Sequence, residues 1–267
     1  MRTLRVCALV GAAVSAAILS ASFAPTHAAD LGYGSIKDIP PPPPSGRAWY
    51  LKGTIGMKNP EPGSIWIDEP SFVDHTVHHK DIKSSTLFGM GIGVEHSRWL
   101  RFDATGEYRG KQLFLAQDSY PGGTNEYTAD LESWLGLFNV YIDIGTWRGI
   151  TPYVGGGIGI AWIDVQGFKD VNVPAGSVYY GDRDKSTTNF AWAVYGGVSY
   201  DVTPQFTLDL AYRYTDLGDA HTGRASAFDG SGSYSGLEIR DITSHDLLLS
   251  ARYRLDHPAP MYPVAIK

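Results

Sequence analysis

What most limits the folds open to this chain is the order of its connections. From Arg47 onward, eight runs alternate apolar and polar residues at period two, and the segments between them alternate strictly between long and short. The runs fall at about 47–57, 85–96, 100–109, 131–144, 151–162, 189–202, 205–215 and 244–255. Long segments occupy 58–84, 110–130, 163–188 and 216–243, while the others are tight turns written HSRW, GTWRGIT and DVTPQ. A transmembrane β-barrel sorts its connections this way, with short turns at the periplasmic end and long loops outside. A soluble sandwich has no reason to. The pattern therefore predicts an all-β fold, an eight-stranded antiparallel up-and-down transmembrane β-barrel over 47–256, and its even strand count puts both ends of the barrel in the periplasm.

The densest glycine run, TPYVGGGIGIAW at Thr151 to Trp162, tests that reading. A phosphate-binding loop needs G-x-G-x-x-G leading from a strand into a helix. This run lacks the spacing, and no helical periodicity follows it. At period two it separates into Pro152, Val154, Gly156, Ile158, Ile160 and Trp162 on one face and Tyr153, Gly155, Gly157, Gly159 and Ala161 on the other. The small face belongs inside a narrow barrel. The same parity places Lys52, Glu95, Arg101, Asp103, Glu107, Asp143, Asp209, Arg213, Asp246, Arg252 and Arg254 in the interior. Small barrels have interiors filled by side chains, so these charges read as an ion-paired packing network rather than a selective channel.

Aromatic residues give a second test. With strand directions taken from the loop rule, Trp49, Trp99, Phe102, Trp147, Tyr200, Phe206 and Tyr253 gather near the inner ends of the strands. Tyr108, Trp134, Trp162, Phe190, Trp192, Tyr212 and Tyr214 gather near the outer ends. Two such girdles are what a barrel needs where amphipathic rings meet lipid headgroups. A soluble carrier barrel with an apolar inside would need polar residues where these runs carry Ile, Val and Phe.

The N-terminal segment has its own pattern. Arg2 and Arg5 precede an Ala-rich apolar run ending in APTHA, the layout of a secretory signal peptide over 1–28 with cleavage after Ala28. Cys7, the only cysteine, lies inside it, so thiol and disulfide chemistry are excluded from the mature chain. Residues 29–46 include IPPPPPSG, a polyproline II tether in the periplasm, and 257–267 form a periplasmic tail. The net charge of −6 argues against nucleic acid as a partner.

With AADL and a proline-rich segment behind the signal peptide, then WYLKGTIGM, TPYVGGGIGIAW, FAWAVYGGVSYDVTP, LDLAYRYTDLG and HDLLLSARYRL, the chain resembles the small outer-membrane β-barrel proteins of alphaproteobacteria. These are related in fold to the OmpA transmembrane domain and the opacity-type porin family proteins. The resemblance covers nearly the whole mature chain and implies a cell outer membrane location. It also implies a structural, surface-exposed envelope role, with a narrow low-conductance porin or a loop-mediated adhesin as alternatives. Outer-membrane lipid and lipopolysaccharide, the assembly machinery and external surface partners of the loops are the partners it implies. One departure concerns assembly: the last strand ends at Leu255 before the tail DHPAPMYPVAIK, leaving Tyr253 as the aromatic nearest its end.

Candidate chemistry outside the interior is sparse. His75, His78 and His79 beside Asp74 have the residue types for zinc, copper or acid sensing, but no regular element orients them, and they read as a polar loop. His245 has lipid-facing parity at the outer rim, yet its face continues with Leu247, and His221 and Ser226 lie in a loop. No enzyme, cofactor or metal is therefore expected. Tyr120, Tyr127, Tyr179, Tyr180, Phe228 and Tyr234 lie in long segments rich in Gly, Ser, Asn and Asp, a composition suited to adaptable surface contacts.

Overall fold

The computed structural model describes residues 48–67, 76–173 and 175–255. The expected signal peptide, proline-rich segment and tail, together with Asp74 and His75, lie outside the described residues. Alternating β-branched, aromatic and small residues form thirteen strands of one sheet. Eight long ones build the wall: β1 (Ala48–Glu61), β4 (Ser85–Glu95), β5 (Leu100–Tyr120), β6 (Gly123–Asp143), β7 (Ile150–Asn172), β9 (Lys185–Asp201), β10 (Phe206–His221) and β13 (Glu238–Arg254). Each pairs antiparallel with its neighbours, and β13 returns to β1 from Tyr50↔Arg254 to Glu61↔Thr243, closing the ring. Closure leaves the wall no free edge.

Five short strands extend this ring at the end opposite the tight turns. They are β2 (Ser64–Trp66) on β13, β3 (Thr76–Ile82) on β5, β8 (Val178–Gly181) on β7, β11 (Ala225–Ala227) on β8 and β12 (Ser233–Tyr234) on β11.

The connections differ from the expectation in one important respect. Segment 110–130, read as a loop, is strand on both sides of a turn at Pro121–Gly122, and β7 runs on to Asn172. Tyr120 and Tyr127 therefore belong to paired strands, and both Tyr127 and Tyr234 are buried. The cause is an inversion of the pattern along each hairpin. In the lower part of β6, Trp134, Phe138 and Ile142 face out while Asn139 and Tyr141 face in. Above Trp134, Glu126, Thr128, Asp130 and Glu132 face out, while Tyr127, Ala129 and Leu131 are buried. A bulge between Arg109 and Gln112 on β5 accompanies the change. The lower wall is thus apolar outside and polar inside, and the upper wall is the reverse.

Glycine placement answers to large interior side chains. A Cβ on Gly155 would strike the Tyr141 ring, one on Gly197 the Tyr153 ring, one on Gly93 the Tyr50 ring and one on Gly157 the Asn139 amide. Each interior tyrosine lies over a bare stretch of the neighbouring strand. This is close packing by alternation of large and small.

Candidate functional site in the barrel interior

The interior side chains of the lower wall join into one network with three levels. At the tight-turn end, Arg252 donates to Asp209 from Nε (2.7 Å) and Nη2 (3.0 Å), and from Nη1 to Glu95 (3.0 Å). Glu95 also accepts from Arg254 (2.9 Å), which lies 3.4 Å from Asp201. Arg101 grips Asp143 at 2.7 and 2.8 Å, and its guanidinium covers the rings of Tyr141 and Tyr153.

At the middle level, Asp103 accepts from Lys52 (3.0 Å), Asn139 (2.7 Å) and Tyr50 (3.2 Å). At the top, Arg213 lies between Glu107 (2.6 and 2.7 Å) and Asp246 (2.7 and 3.0 Å). Arg109 reaches Asp246 at 2.9 and 3.0 Å and Ser244 at 2.7 Å. Arg109, Arg213 and Asp246 have no solvent exposure.

Register explains these meetings. Arg213 stands opposite Asp246 across β10 and β13, and Lys58 opposite Asp246 across β1 and β13. The cations Lys52, Lys58, Arg101, Arg109, Arg213, Arg252 and Arg254 are matched in number by Glu95, Asp103, Glu107, Asp143, Asp201, Asp209 and Asp246. Burying so many charges is tolerable only because each cation meets opposite charge and most of their polar atoms carry hydrogen bonds. Lys58 is the exception: its ammonium is buried and makes no hydrogen bond among the described residues.

All the charges assigned to the interior from the sequence thus lie in one connected lumen. Lys58 joins them from one position past the run that ends at Met57, and Arg109 and Asp201 share the inward parity of the 100–109 and 189–202 runs. The uncharged members Tyr50, Asn139, Tyr141 and Tyr195 were also outside that set; as the large polar residues of the inward face, their parity was the available signal.

Above this network the interior turns apolar. Ile82, Phe114, Phe168, Leu217, Leu237, Ile239 and Ile242 are buried there. Asp118 accepts from the Tyr127 hydroxyl and Asp170 from that of Tyr234, both at 2.8 Å. Burial, reinforced by these carboxylates, pushes both phenols well above their ordinary range, so they remain donors.

The other candidates are placed apart. His78 bonds Ser119 at 2.6 Å on an exposed strand, and no cluster of metal-ligating residues occurs among the described residues. His245 lies on the outer wall with Nδ1 2.5 Å from the Tyr212 hydroxyl and its ring against Tyr214; His221 and Ser226, expected in a loop, are on strands instead, His221 ending β10 opposite Glu238, well along β13 from His245, and Ser226 on β11. The aromatic residues form two exposed tiers, with Trp49, Trp99, Trp147, Tyr200 and Tyr253 below and Trp134, Trp162, Phe190, Trp192 and Tyr212 above. Phe102 and Phe206 accompany the first tier; Tyr108 packs on Trp134, and Tyr214 on Trp192, in the second.

Residues 7–254 match the model of the outer membrane protein beta-barrel domain family. The chain belongs to this family. As an outer-membrane barrel it resides in the cell outer membrane, and its exposed apolar belt is a lipid-facing surface. An uncharacterized protein of Brucella abortus is 31% identical over 234 residues, covering 79% of this chain and 81% of the relative. The outer membrane protein PagN of Salmonella typhimurium is 29% identical over 82 residues, covering 31% of this chain and 33% of that protein. Among solved structures, the outer membrane protein OprG of Pseudomonas aeruginosa superposes with a TM-score of 0.51 at 14% identity, covering 79% of this chain and 96% of OprG. That likeness is one of fold.

Proposed function

We propose that this outer-membrane barrel is a structural, surface-exposed protein that contributes to envelope integrity and has a sealed interior. The supporting observation is the buried Glu107–Arg213–Asp246–Arg109 cluster, with an apolar core above it. A hydrated ion crossing the barrel would have to break ion pairs and then pass apolar packing, and both steps are costly. In this reading the tight turns face the periplasm, the long hairpins face outward, and the two aromatic tiers sit at the headgroups. Lipid and lipopolysaccharide surround the belt, and the assembly machinery of the outer membrane inserts the strands.

The test is conductance of the refolded mature chain in a planar lipid bilayer. The native protein is expected to show no discrete openings, and Arg252→Ala, which frees Asp209 and Glu95 at the tight-turn end but leaves the Arg213 cluster and the apolar core in place, to stay closed as well. Steady openings in the native protein would instead assign it as a narrow, low-conductance pore.

A further inference from the structure

At the hairpin end, taken as outward in the function proposed above, a cleft of about 230 Å³ opens between the turn after β7 and the turn after β11. Its walls include Gly176, Val178, Tyr180, Ala227, Phe228 and Asp229. Phe228 is 85% exposed, the most exposed large hydrophobic among the described residues, and it stands at the hairpin end beyond the lipid belt. An aromatic side chain held out in this way marks a contact surface.

The cleft is built rather than incidental. Asn172 fixes one wall by accepting from the N–H groups of Ala175 and Gly176 and donating its own N–H to Ser177. The other wall is tied across by the Phe228 N–H to Val178 oxygen bond (2.9 Å) and closed by Ala227 N–H to Gly232 oxygen (2.9 Å). The Tyr180 and Phe228 rings meet at 67° with centroids 6.3 Å apart, the geometry of two adjoining sides of a box. Behind them Tyr179 packs on Tyr234, which is anchored on Asp170.

Charge and hydrogen-bonding capacity define the occupant. Asp229 is the carboxylate of the cleft; hydrogen bonds from Ser231 hold it below the usual carboxylate range, so it is ionised. Aromatic faces and one carboxylate attract a cation. A primary ammonium brings three donors and a guanidinium five, and a sugar paired donors and acceptors, which these mainly apolar walls meet only through Ser177, Asp229 and solvent at the open mouth. A quaternary ammonium carries charge without any donor. We infer that this cleft binds the trimethylammonium group of a choline-type ligand.

The experiment is titration of the refolded chain, in a maltoside detergent, with choline and with tetramethylammonium, followed by calorimetry and by NMR shifts of the Phe228 and Tyr180 rings. Ethanolamine serves as the donor-bearing control. Saturable binding of both quaternary ions with weak ethanolamine binding is expected. Phe228→Ala should weaken it about two- to fivefold, and Asp229→Asn about two- to fivefold at low salt. Both side chains are exposed, so neither variant should alter folding, which heat-modifiable migration in gels checks. Equal binding of ethanolamine, no saturable choline binding, or an unchanged affinity in Phe228→Ala would each overturn the assignment. Capture of phosphatidylcholine vesicles as well as choline would identify a lipid headgroup as the source, and binding of free choline alone a soluble one.

Discussion

Arg213 stands between Glu107 and Asp246 out of reach of water, so its removal leaves carboxylates facing each other in a medium of low dielectric. Arg213→Met is expected to lower stability by about 3–5 kcal/mol, read from urea unfolding of the protein folded into lipid vesicles. Adding Glu107→Gln should recover part of that loss, because both short contacts of Glu107 are to Arg213 while Asp246 keeps Arg109, and coupled sites are not additive. A single-variant cost below about 1 kcal/mol would mean that water reaches the cluster. The charges of this cluster were legible in the sequence because period-two parity assigns each residue a face. Their pairing was not. Arg109 and Asp246 are 137 positions apart, and only closure of the ring brings β5 and β13 across a common interior. Parity likewise gave the small face of Gly155 and Gly157 but not the reason for it, which is the width of Tyr141 and Asn139 on the facing strand.

At the scale of strands, the upper hairpins behave as walls rather than loops. Residues 112–120 of β5 pair with β6 on one side and, from Phe114 to Ser119, with β3 on the other, over the buried Phe114 and Ala116. Backbone amides held this way exchange slowly, whereas those of a solvated loop exchange at once. In hydrogen exchange followed by mass spectrometry, peptides covering 112–118 and 125–131 should stay protected for as long as the lipid-facing part of β6, while the 228–233 turn exchanges in the first time point. Early exchange at 112–118 would show that the ring ends at the aromatic tier. The sequence hid these extensions for a physical reason. A strand surrounded by water must turn its apolar side inward, and a strand in lipid must turn it outward. A strand that crosses the boundary therefore reverses its pattern, and a search for one unbroken alternation stops at that point. Tyr127, whose composition suggested a surface contact, is buried for the same reason.

For the whole molecule, the inversion and the aromatic tiers independently mark the same boundary. From Trp134 to Ile144, at ~3.3 Å per residue and a tilt of about 40°, the wall spans roughly 25 Å, the height of the apolar band of an outer-membrane barrel. Of the seven tryptophans, Trp49, Trp99 and Trp147 lie at one limit of this band and Trp134, Trp162 and Trp192 at the other. Trp66 alone stands apart, on β2, with Arg240 over its ring. Depth is then a measurable property of the molecule. In vesicles of brominated lipid, bromine near the headgroup should quench most of the tryptophan emission, and bromine near the chain ends far less. Trp66→Phe should leave the lipid quenching unchanged and remove the fraction accessible to aqueous iodide. The opposite depth profile would place the tryptophans at mid-bilayer and shift the wall by about half its height. Quenching equal at all depths would mean that the apolar belt does not face lipid. The predicted profile requires the strand tilt, the inverted pattern and both aromatic tiers to hold together, since any one of them displaced would move some tryptophans into the hydrocarbon.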